Sequence, residues 1–553
     1  MKQRLADYVV DFLVNKGVTD CFTVVGGGWL DSIPMFIVSG QVRYDTTARY
    51  AERFTDGLPL RAVGDQEFDI TKSVDCMCKY AAMLEDPKDI RYMLEKGWRL
   101  AATGRRGPVW IDIPVNFQGG FIETEELRGY DPAEDDALLP PAVSEDTIDT
   151  ILALIAGAKR PVIYAGGGIR LSEGYDAFRA VIEKLGVPVV TYWNSIDLIE
   201  EAHPLYCGRG GNMGDRAGNF AVQNADLLLA IGTRISIRQV GYNWKTWARE
   251  AKVIMVDIDQ AEMKKPTIHV DMPVWADARN FLETMDVCLK KHTDALFTGE
   301  WWREQCRAWK INYPVTLPRH WAENGETANV FAFIRFLSDS LPENSLTAVS
   351  NGACCVVGHQ NWCIKNGTRF IINSAIASMG YGLPAAIGLC AAGGKKDTIC
   401  LEGDGSIMMN LQELQTVVTN KLPVKLFIIN NQGYHSIRQT QNNLFKEHSK
   451  VGIGPESADL SFPDFSKLAV AFGYPYYSAH SNADMKSAVL GTLAEPGFVM
   501  CEIFTDTLQA WEPKSSTKRL PDGTLVSPPL EDLAPFLDRE ELLKNMYITP
   551  IEE

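Results

Sequence analysis

Short apolar runs of strand length alternate with stretches of helical periodicity through most of this 553-residue chain. That alternation limits the fold more than any other feature. Runs such as Leu227 to Ile231 and Leu426 to Ile429 fit strands buried on both faces, which occur where helices cover a parallel sheet. The class is therefore α/β. The length exceeds what one hydrophobic core supports and predicts roughly three or four units.

Two segments interrupt the alternation. Tyr130-Asp131-Pro132 through Pro140-Pro141 is acidic and proline-bearing, and Tyr313-Pro314 to Asn324 separates a middle block from a last one. These breaks predict three doubly wound parallel-sheet domains at 1–128, 145–315 and 325–535, with a tail at 536–553. In the middle block a capping-box-like Ser144-Glu145-Asp146 opens a helix. Strands are expected at Pro161–Ala165, Val187–Thr191, Leu227–Ile231 and Val253–Asp257. The last block repeats the pattern with Leu346–Val349, Ile399–Leu401 and Val424–Ile429.

Charge and composition remove several functions. A net charge of −16 argues against a nucleic-acid surface, which needs clustered Lys and Arg. No apolar run approaches the ~20 residues that span a bilayer, so no membrane partner is expected. Asp7 and Asp11 break any signal-peptide-like stretch. The 12 cysteines follow no disulfide or zinc spacing and read as reduced thiols of a cytoplasmic protein.

The chemistry concentrates in the last block. Gly403-Asp404-Gly405-Ser406 follows a strand and precedes a helix expected over about Met408 to Asn420. Glycines at such a turn let the backbone approach a phosphate, and a helix N-terminus offers it unpaired N–H groups. A carboxylate beside a phosphate needs a cation between them, and oxygen ligands suit Mg²⁺. The next strand delivers Asn430-Asn431 to the same edge of the sheet, where ligands of parallel sheets bind. Asp404, the amide oxygen of Asn431 and the backbone carbonyl of Gly433 are the candidate metal ligands.

Gly-Asp-Gly-Ser, a helix and strand, then Asn-Asn resembles the thiamine diphosphate signature. Ser378-Met379-Gly380-Tyr381-Gly382-Leu383-Pro384-Ala385-Ala386, Gly107 to Pro114 and Val256-Asp257-Ile258-Asp259 resemble stretches of the acetolactate synthase and 2-oxo acid decarboxylase superfamily. The resemblance spans nearly the whole chain. It implies pyrimidine-binding, central and diphosphate-binding domains in that order, with sites shared between subunits of a dimer or tetramer. It implies that Gly403, Gly405, Ser406, Ser378, Asn351, Gly352 and Tyr434 contact the cofactor, and that Met379 props it into a bent shape. Asn351-Gly352-Ala353-Cys354 departs from the family's Gly-Gln-His-like residues.

The family also needs a glutamate in the first domain, and no residue of this chain matches it. Thr23-Val24-Val25-Gly26-Gly27-Gly28 resembles the end of the first strand, and Trp29 to Gly40 resembles a much later strand. A parallel crossover cannot be made in three glycines, since it needs a dozen or more residues. The first domain therefore reads as lacking a segment after Gly28, of roughly 60 residues or two βαβ-sized pieces. Glu52 and Glu67 are nearest in order, without the right context.

Ser374 to Met379, Asn431 to Arg438 and Lys518 to Gly523 resemble the branch linked to bacterial surface-polysaccharide synthesis. That implies decarboxylation of a 2-oxo acid, pyruvate by resemblance, with transfer of the acyl unit to a second carbonyl such as a nucleotide-linked keto-deoxysugar. Acetolactate synthase and simple decarboxylase chemistry stay open, as does a non-catalytic cofactor-binding scaffold. Tyr434 and His435 follow the metal loop, and His435 is the candidate proton shuttle. Gly232-Thr233-Arg234 and Arg238 resemble the arginine-bearing flavin stretch of acetolactate synthases, and the Gly166-Gly167-Gly168 turn can approach a diphosphate, making Gly167, Gly168, Arg234 and Arg238 the FAD candidates. A nucleotide such as ADP, or an empty domain, stays open there.

Overall fold

A computed structural model describes residues 2–20, 32–291, 295–323, 325–445, 448–519 and 524–551. The junction read after Gly28, and Leu520 to Gly523, lie outside the described residues. The chain divides into two compact units, Met1–Pro141 and Ala142–Glu553.

In the first unit, β1 (Lys2–Arg4), β2 (Met35–Gln41), β3 (Tyr80–Met83), β4 (Pro108–Pro114) and β5 (Phe121–Glu123) form two small sheets. β2, β4 and β3 pair in parallel in that order, and β1 pairs antiparallel with β5. The strand resembling a later one thus begins at Met35. Helix Ile90–Ala102 buries Ile90, Met93, Leu94, Gly97, Leu100 and Ala101, one stripe of a 3.6-residue period.

The second unit contains two larger sheets, both α/β and wholly parallel as expected. The first comprises β6 (Pro161–Ala165), β7 (Val189–Thr191), β8 (Tyr206–Arg209), β9 (Leu227–Ile231), β10 (Lys252–Asp257) and β11 (Met272–Trp275). Their order is β11-β10-β9-β6-β7-β8. The second comprises β12 (Leu346–Val349), β13 (Arg369–Ile372), β14 (Thr398–Gly403), β15 (Val424–Asn430), β16 (Tyr476–Ala479) and β17 (Val499–Phe504), ordered β13-β12-β14-β15-β17-β16. Every residue of β6 and β9 is buried, as are the first five of β14 and first six of β15, which is why these strands read as unbroken apolar runs. No helix among the described residues is long and apolar enough to cross a membrane.

Strand order reverses between β6 and β9 in one sheet and between β12 and β14 in the other. At such a switch point the flanking connections leave to opposite faces, opening a crevice outside the strands' carboxyl ends. The crevices carry Gly166-Gly167-Gly168 with Gly232, and Asn351-Gly352 with Asp404-Gly405, respectively.

One expected element is corrected. The helix over Met408 to Asn420 is a 3₁₀ turn, Ile407–Met409, followed after a break by helix Glu413–Asn420. Asn410 leaves helical geometry (φ −136°, ψ 33°), and its side-chain amide donates to the Gly380 carbonyl at 2.8 Å. A short polar side chain that bonds backbone elsewhere competes with the helix.

Candidate cofactor and metal site

Around the switch point of the second large sheet lies a cleft of about 260 Å³. Asp404 enters it directly from β14 and is almost fully buried. Its Oδ1 accepts from the Gly405 N–H at 2.8 Å and its Oδ2 from the Gly433 N–H at 3.1 Å. Burial pushes its carboxyl up to about 7, with backbone hydrogen bonds and Arg438 opposing. A buried carboxylate in this state is one that an added cation stabilises.

Asn431, one residue past β15, is also buried, and its Oδ1 has no hydrogen-bond partner among the described residues. An orphaned buried oxygen is costly unless an unseen group satisfies it. The loop between Asn431 and helix His435–Leu444 holds a fixed shape. Gln432 is left-handed (φ 55°) and Gly433 lies at φ 153°. A Cβ at Gly433 would lie 1.9 Å from the Ile453 carbonyl oxygen, so only glycine fits. Arg438 clamps this loop, with Nη1 donating to the Asn431 carbonyl at 3.0 Å. Its Nη2 donates to the carbonyls of Gln432 at 3.0 Å and Ile453 at 2.9 Å. Asp404, Asn431 and Gly433 thus meet, and their hard oxygen set fits Mg²⁺.

The helix expected after Ser406 does not border the cleft with its N-terminus, whereas His435–Leu444 does and so does Ala353–Asn361, after β12. Its first turn keeps unpaired N–H groups, the donor set a diphosphate uses. Gly352 is left-handed (φ 64°), and a Cβ there would meet nothing within 4 Å. Asn351 anchors the entry by donating to the Ala377 carbonyl at 3.2 Å. Met379 lines the cleft while 42 % exposed, a large apolar side chain without protein covering it.

Gly403, Gly405, Ser406 and Tyr434 line the cleft too, whereas Ser378 does not. A Cβ on Gly405 would stand 2.4 Å from the Tyr434 ring, so that glycine makes room for the aromatic wall. The Ser406 hydroxyl is committed internally: it accepts from the Gly380 N–H at 2.8 Å and lies 2.6 Å from Ser350 Oγ. His435 borders the cleft at the first turn of its helix. Its Nδ1 lies 3.1 Å from the Thr507 carbonyl oxygen and its Nε2 2.8 Å from that of Gln509. Burial lowers its pKa. These engagements pin the ring and leave neither nitrogen free for the shuttle expected of it.

Two site residues were missed by sequence reasoning. Arg438 gives no local signal, because its partners lie up to sixty-nine residues away (507 − 438). Glu402 is completely buried behind the turn, accepts from the Leu383 N–H at 2.9 Å, and is pushed up to about 7 by burial.

The FAD candidates fit their group incompletely. A Cβ on Gly166 would lie 2.1 Å from Thr233 Cα, and the Gly168 N–H donates to the Gly232 carbonyl at 2.9 Å. These glycines therefore serve contact between the two loops. Arg234 pairs with Glu262 at 2.8 Å, while Arg238 rests 5.5 Å from the Trp193 ring centroid. In the first unit, the Glu67 carboxylate accepts from the Ala48 N–H and, at 2.8 Å, from the Val63 N–H. The Glu52 carboxylate accepts from the Leu60 N–H at 3.3 Å.

Two parallel sheets, with an oxygen-lined pocket that fits a cation and a helix N-terminus at a switch point, have the form of a diphosphate-cofactor site. Residues 148–285 match the family described as thiamine pyrophosphate enzyme, central domain, and residues 350–503 its C-terminal TPP binding domain. The acetolactate synthase large subunit of Parasynechococcus marenigrum (strain WH8102) is 32% identical over 474 residues, covering 83% of this chain and 70% of the relative. Acetolactate synthase isozyme 1 large subunit of Escherichia coli (strain K12) is 27% identical over 496 residues, covering 89% and 81%. The isozyme 2 large subunit of that organism is 29% identical over 532 residues, covering 94% and 87%. The chain belongs to the thiamine pyrophosphate-dependent enzyme family and is a homologue of acetolactate synthase large subunits.

Proposed function

We propose that this chain holds thiamine diphosphate through Mg²⁺ at Asp404, Asn431 and the Gly433 carbonyl, and decarboxylates a 2-oxo acid, passing the acyl unit to a second carbonyl compound. The observation that carries this reading is the orphaned Oδ1 of buried Asn431 beside Asp404. It asks for a cation where the helix N-terminus asks for a phosphate. Bound thiamine diphosphate supplies the electron sink that lets a 2-oxo acid lose CO₂. The chain's part is to orient and enclose. Met379 and Tyr434 wall the cleft, Gly405 makes room for the Tyr434 ring, Gly352 admits the cofactor closely, and Arg438 keeps the metal loop in register.

Pyruvate is the donor that the named relatives favour. For the acceptor we propose a second 2-oxo acid or a nucleotide-linked keto-deoxysugar. A homo-oligomer in the cytoplasm, dimer or tetramer, belongs to the same reading; exposed Phe54, Leu58 and Phe68 in the first unit support self-association. No step is routed through FAD, whose presence the visible absorbance of the purified protein decides.

The test is CO₂ release from pyruvate with Mg²⁺ and thiamine diphosphate, with and without each acceptor. Release that depends on both cofactors is expected. Tight cofactor binding without release would favour a second reading, a cofactor-binding scaffold. The observation behind that reading is that Glu67 spends its carboxylate on Ala48 and Val63. An intact mass exceeding the sequence by about 60 residues, the two βαβ-sized pieces, would return the enzyme reading to favour.

A further inference from the structure

A second cavity, of about 340 Å³, lies between edge strand β8 and helices Val330–Ser340 and Ala353–Asn361, with the connecting segment 313–316 along one wall. The proposed chemistry does not use it. Two polar atoms on residues that line it are buried and lack partners: Nε of Arg209, a donor, and Oε1 of Gln360, an acceptor. Each residue is only 2 % exposed. Arg209 Nη2 donates to the Trp362 carbonyl at 2.5 Å, and its nearest carboxylate oxygen, on Glu201, is 3.7 Å away.

Lys310 adds a second, half-buried cation. Its ammonium donates to the Glu201 backbone carbonyl at 2.7 Å and lies 4.4 Å from the Tyr206 ring centroid, with no ion pair of its own among the described residues. Burial lowers its pKa, with Glu201 opposing.

The other carboxylates are engaged. Asp215 caps helix Arg216–Asn224, accepting from the Gly218 N–H at 2.6 Å and the Arg209 N–H at 2.8 Å. Asp339 holds Arg335 Nε at 2.8 Å, and Arg335 Nη1 stands 3.5 Å from Glu201. A buried guanidinium with an unspent N–H costs stability unless an acceptor completes it, and the half-buried Lys310 ammonium stands beside it.

We propose that this cavity binds inorganic phosphate, with Arg209 and Lys310 donating to its oxygens and Gln360 Oε1 accepting from its P–OH. Donors alone would suit any small oxyanion. The orphaned acceptor is what selects one that still carries a proton near neutral pH, so sulfate should bind more weakly. Because the walls come from both sheets' layers, phosphate ties them together and stabilises the fold.

The experiment is calorimetric titration of the full chain, without added cofactor, with phosphate and separately with sulfate at constant ionic strength. Wild type should bind phosphate saturably, about tenfold tighter than sulfate, the scale of one charge-assisted hydrogen bond. Lys310→Met should weaken both by about tenfold or more, and Gln360→Met should erase the preference. Thermal unfolding of each variant shows that it is folded. Binding unchanged by Lys310→Met, as phosphate caught at the Asp404 cleft would give, overturns the proposal. So does no saturable binding, or a sulfate preference equal to that for phosphate. None of these outcomes bears on pyruvate decarboxylation.

Discussion

The two large sheets of the second unit reach the same device, a glycine turn at a switch point, and use it in opposite ways. At the β6–β9 crevice the glycines face backbone: a Cβ on Gly166 would stand 2.1 Å from Thr233 Cα and one on Gly168 2.8 Å from Gly232 Cα. At the β12–β14 crevice two of them face space and a third faces only a side chain: a Cβ on Gly352 would meet nothing within 4 Å, the nearest atom to one on Gly403 is 3.9 Å away, and one on Gly405 would stand 2.4 Å from the Tyr434 ring. Topology opens a crevice in both. What the turn touches decides whether a ligand can enter it. Glycine-rich turns in a sequence therefore report close approach, without saying whether the approaching body is the protein or its cofactor.

The most severe way to break this contrast is to remove the open crevice's charge. Asp404→Ala should weaken Mg²⁺-dependent thiamine diphosphate binding about 100-fold or more, the scale of roughly 3 kcal/mol for a buried charged ligand. Titration followed by protein fluorescence reads it, and unaltered affinity would remove Asp404 from the site. Next in size comes a matched pair. Gly166→Ala drives a methyl into backbone and should cost about 2–3 kcal/mol of stability, the range of overpacking a rigid contact. Gly403→Ala adds a Cβ that meets nothing nearer than 3.9 Å at a φ that is not positive, and should cost less than about 1 kcal/mol. Chemical denaturation of both variants measures the gap, and equal losses would end the distinction between a closed and an open crevice.

How much of this was legible in the sequence follows the range of the interactions. β6, β9, β14 and β15 were readable because double burial writes itself as an apolar run. Asp404 and Asn431 were readable because one helix and one strand separate them, which fixes both at the same sheet edge. The helix after Ser406 was misread because periodicity cannot register that Asn410 spends its amide on Gly380, thirty residues away (410 − 380). The FAD candidates at Gly167 and Gly168 rested on a glycine pattern that loop packing explains equally well. Arg209, Lys310 and Gln360 come from three distant segments and form no motif at all, so only the fold could bring them together.

The open crevice also needs a rigid rim, and Arg438 supplies it through the carbonyls of Asn431, Gln432, Ile453 and Thr507. Arg438→Met keeps the stem and removes those bonds. Mg²⁺ affinity at saturating thiamine diphosphate should fall about tenfold, as for groups that orient metal ligands. A change in cofactor affinity without any change in Mg²⁺ affinity would assign Arg438 to packing alone.

The smallest effect tests the seam between the two sheets. His359, on a helix that borders the open cleft, stacks on Trp193 beyond β7, with ring centroids 4.0 Å apart and planes 8° apart. Burial, with Arg209 and Arg238 adding repulsion, lowers its pKa from 6.5 to about 3. The folded state therefore holds the ring neutral where the unfolded chain would protonate it. Stability from this group is full above pH 6.5 and drains away as pH falls toward 3. Between pH 7.5 and 5.5 the loss should be about 1.4 kcal/mol, one pH unit below the unfolded value. Asp215, pushed up to about 6 by burial, works in the opposite sense, so the informative quantity is the difference between wild type and His359→Gln. Denaturation at both pH values should show wild type losing about 1.4 kcal/mol more than the variant. Parallel pH dependence would mean that the ring is protonated in the folded state and that the seam is not dry.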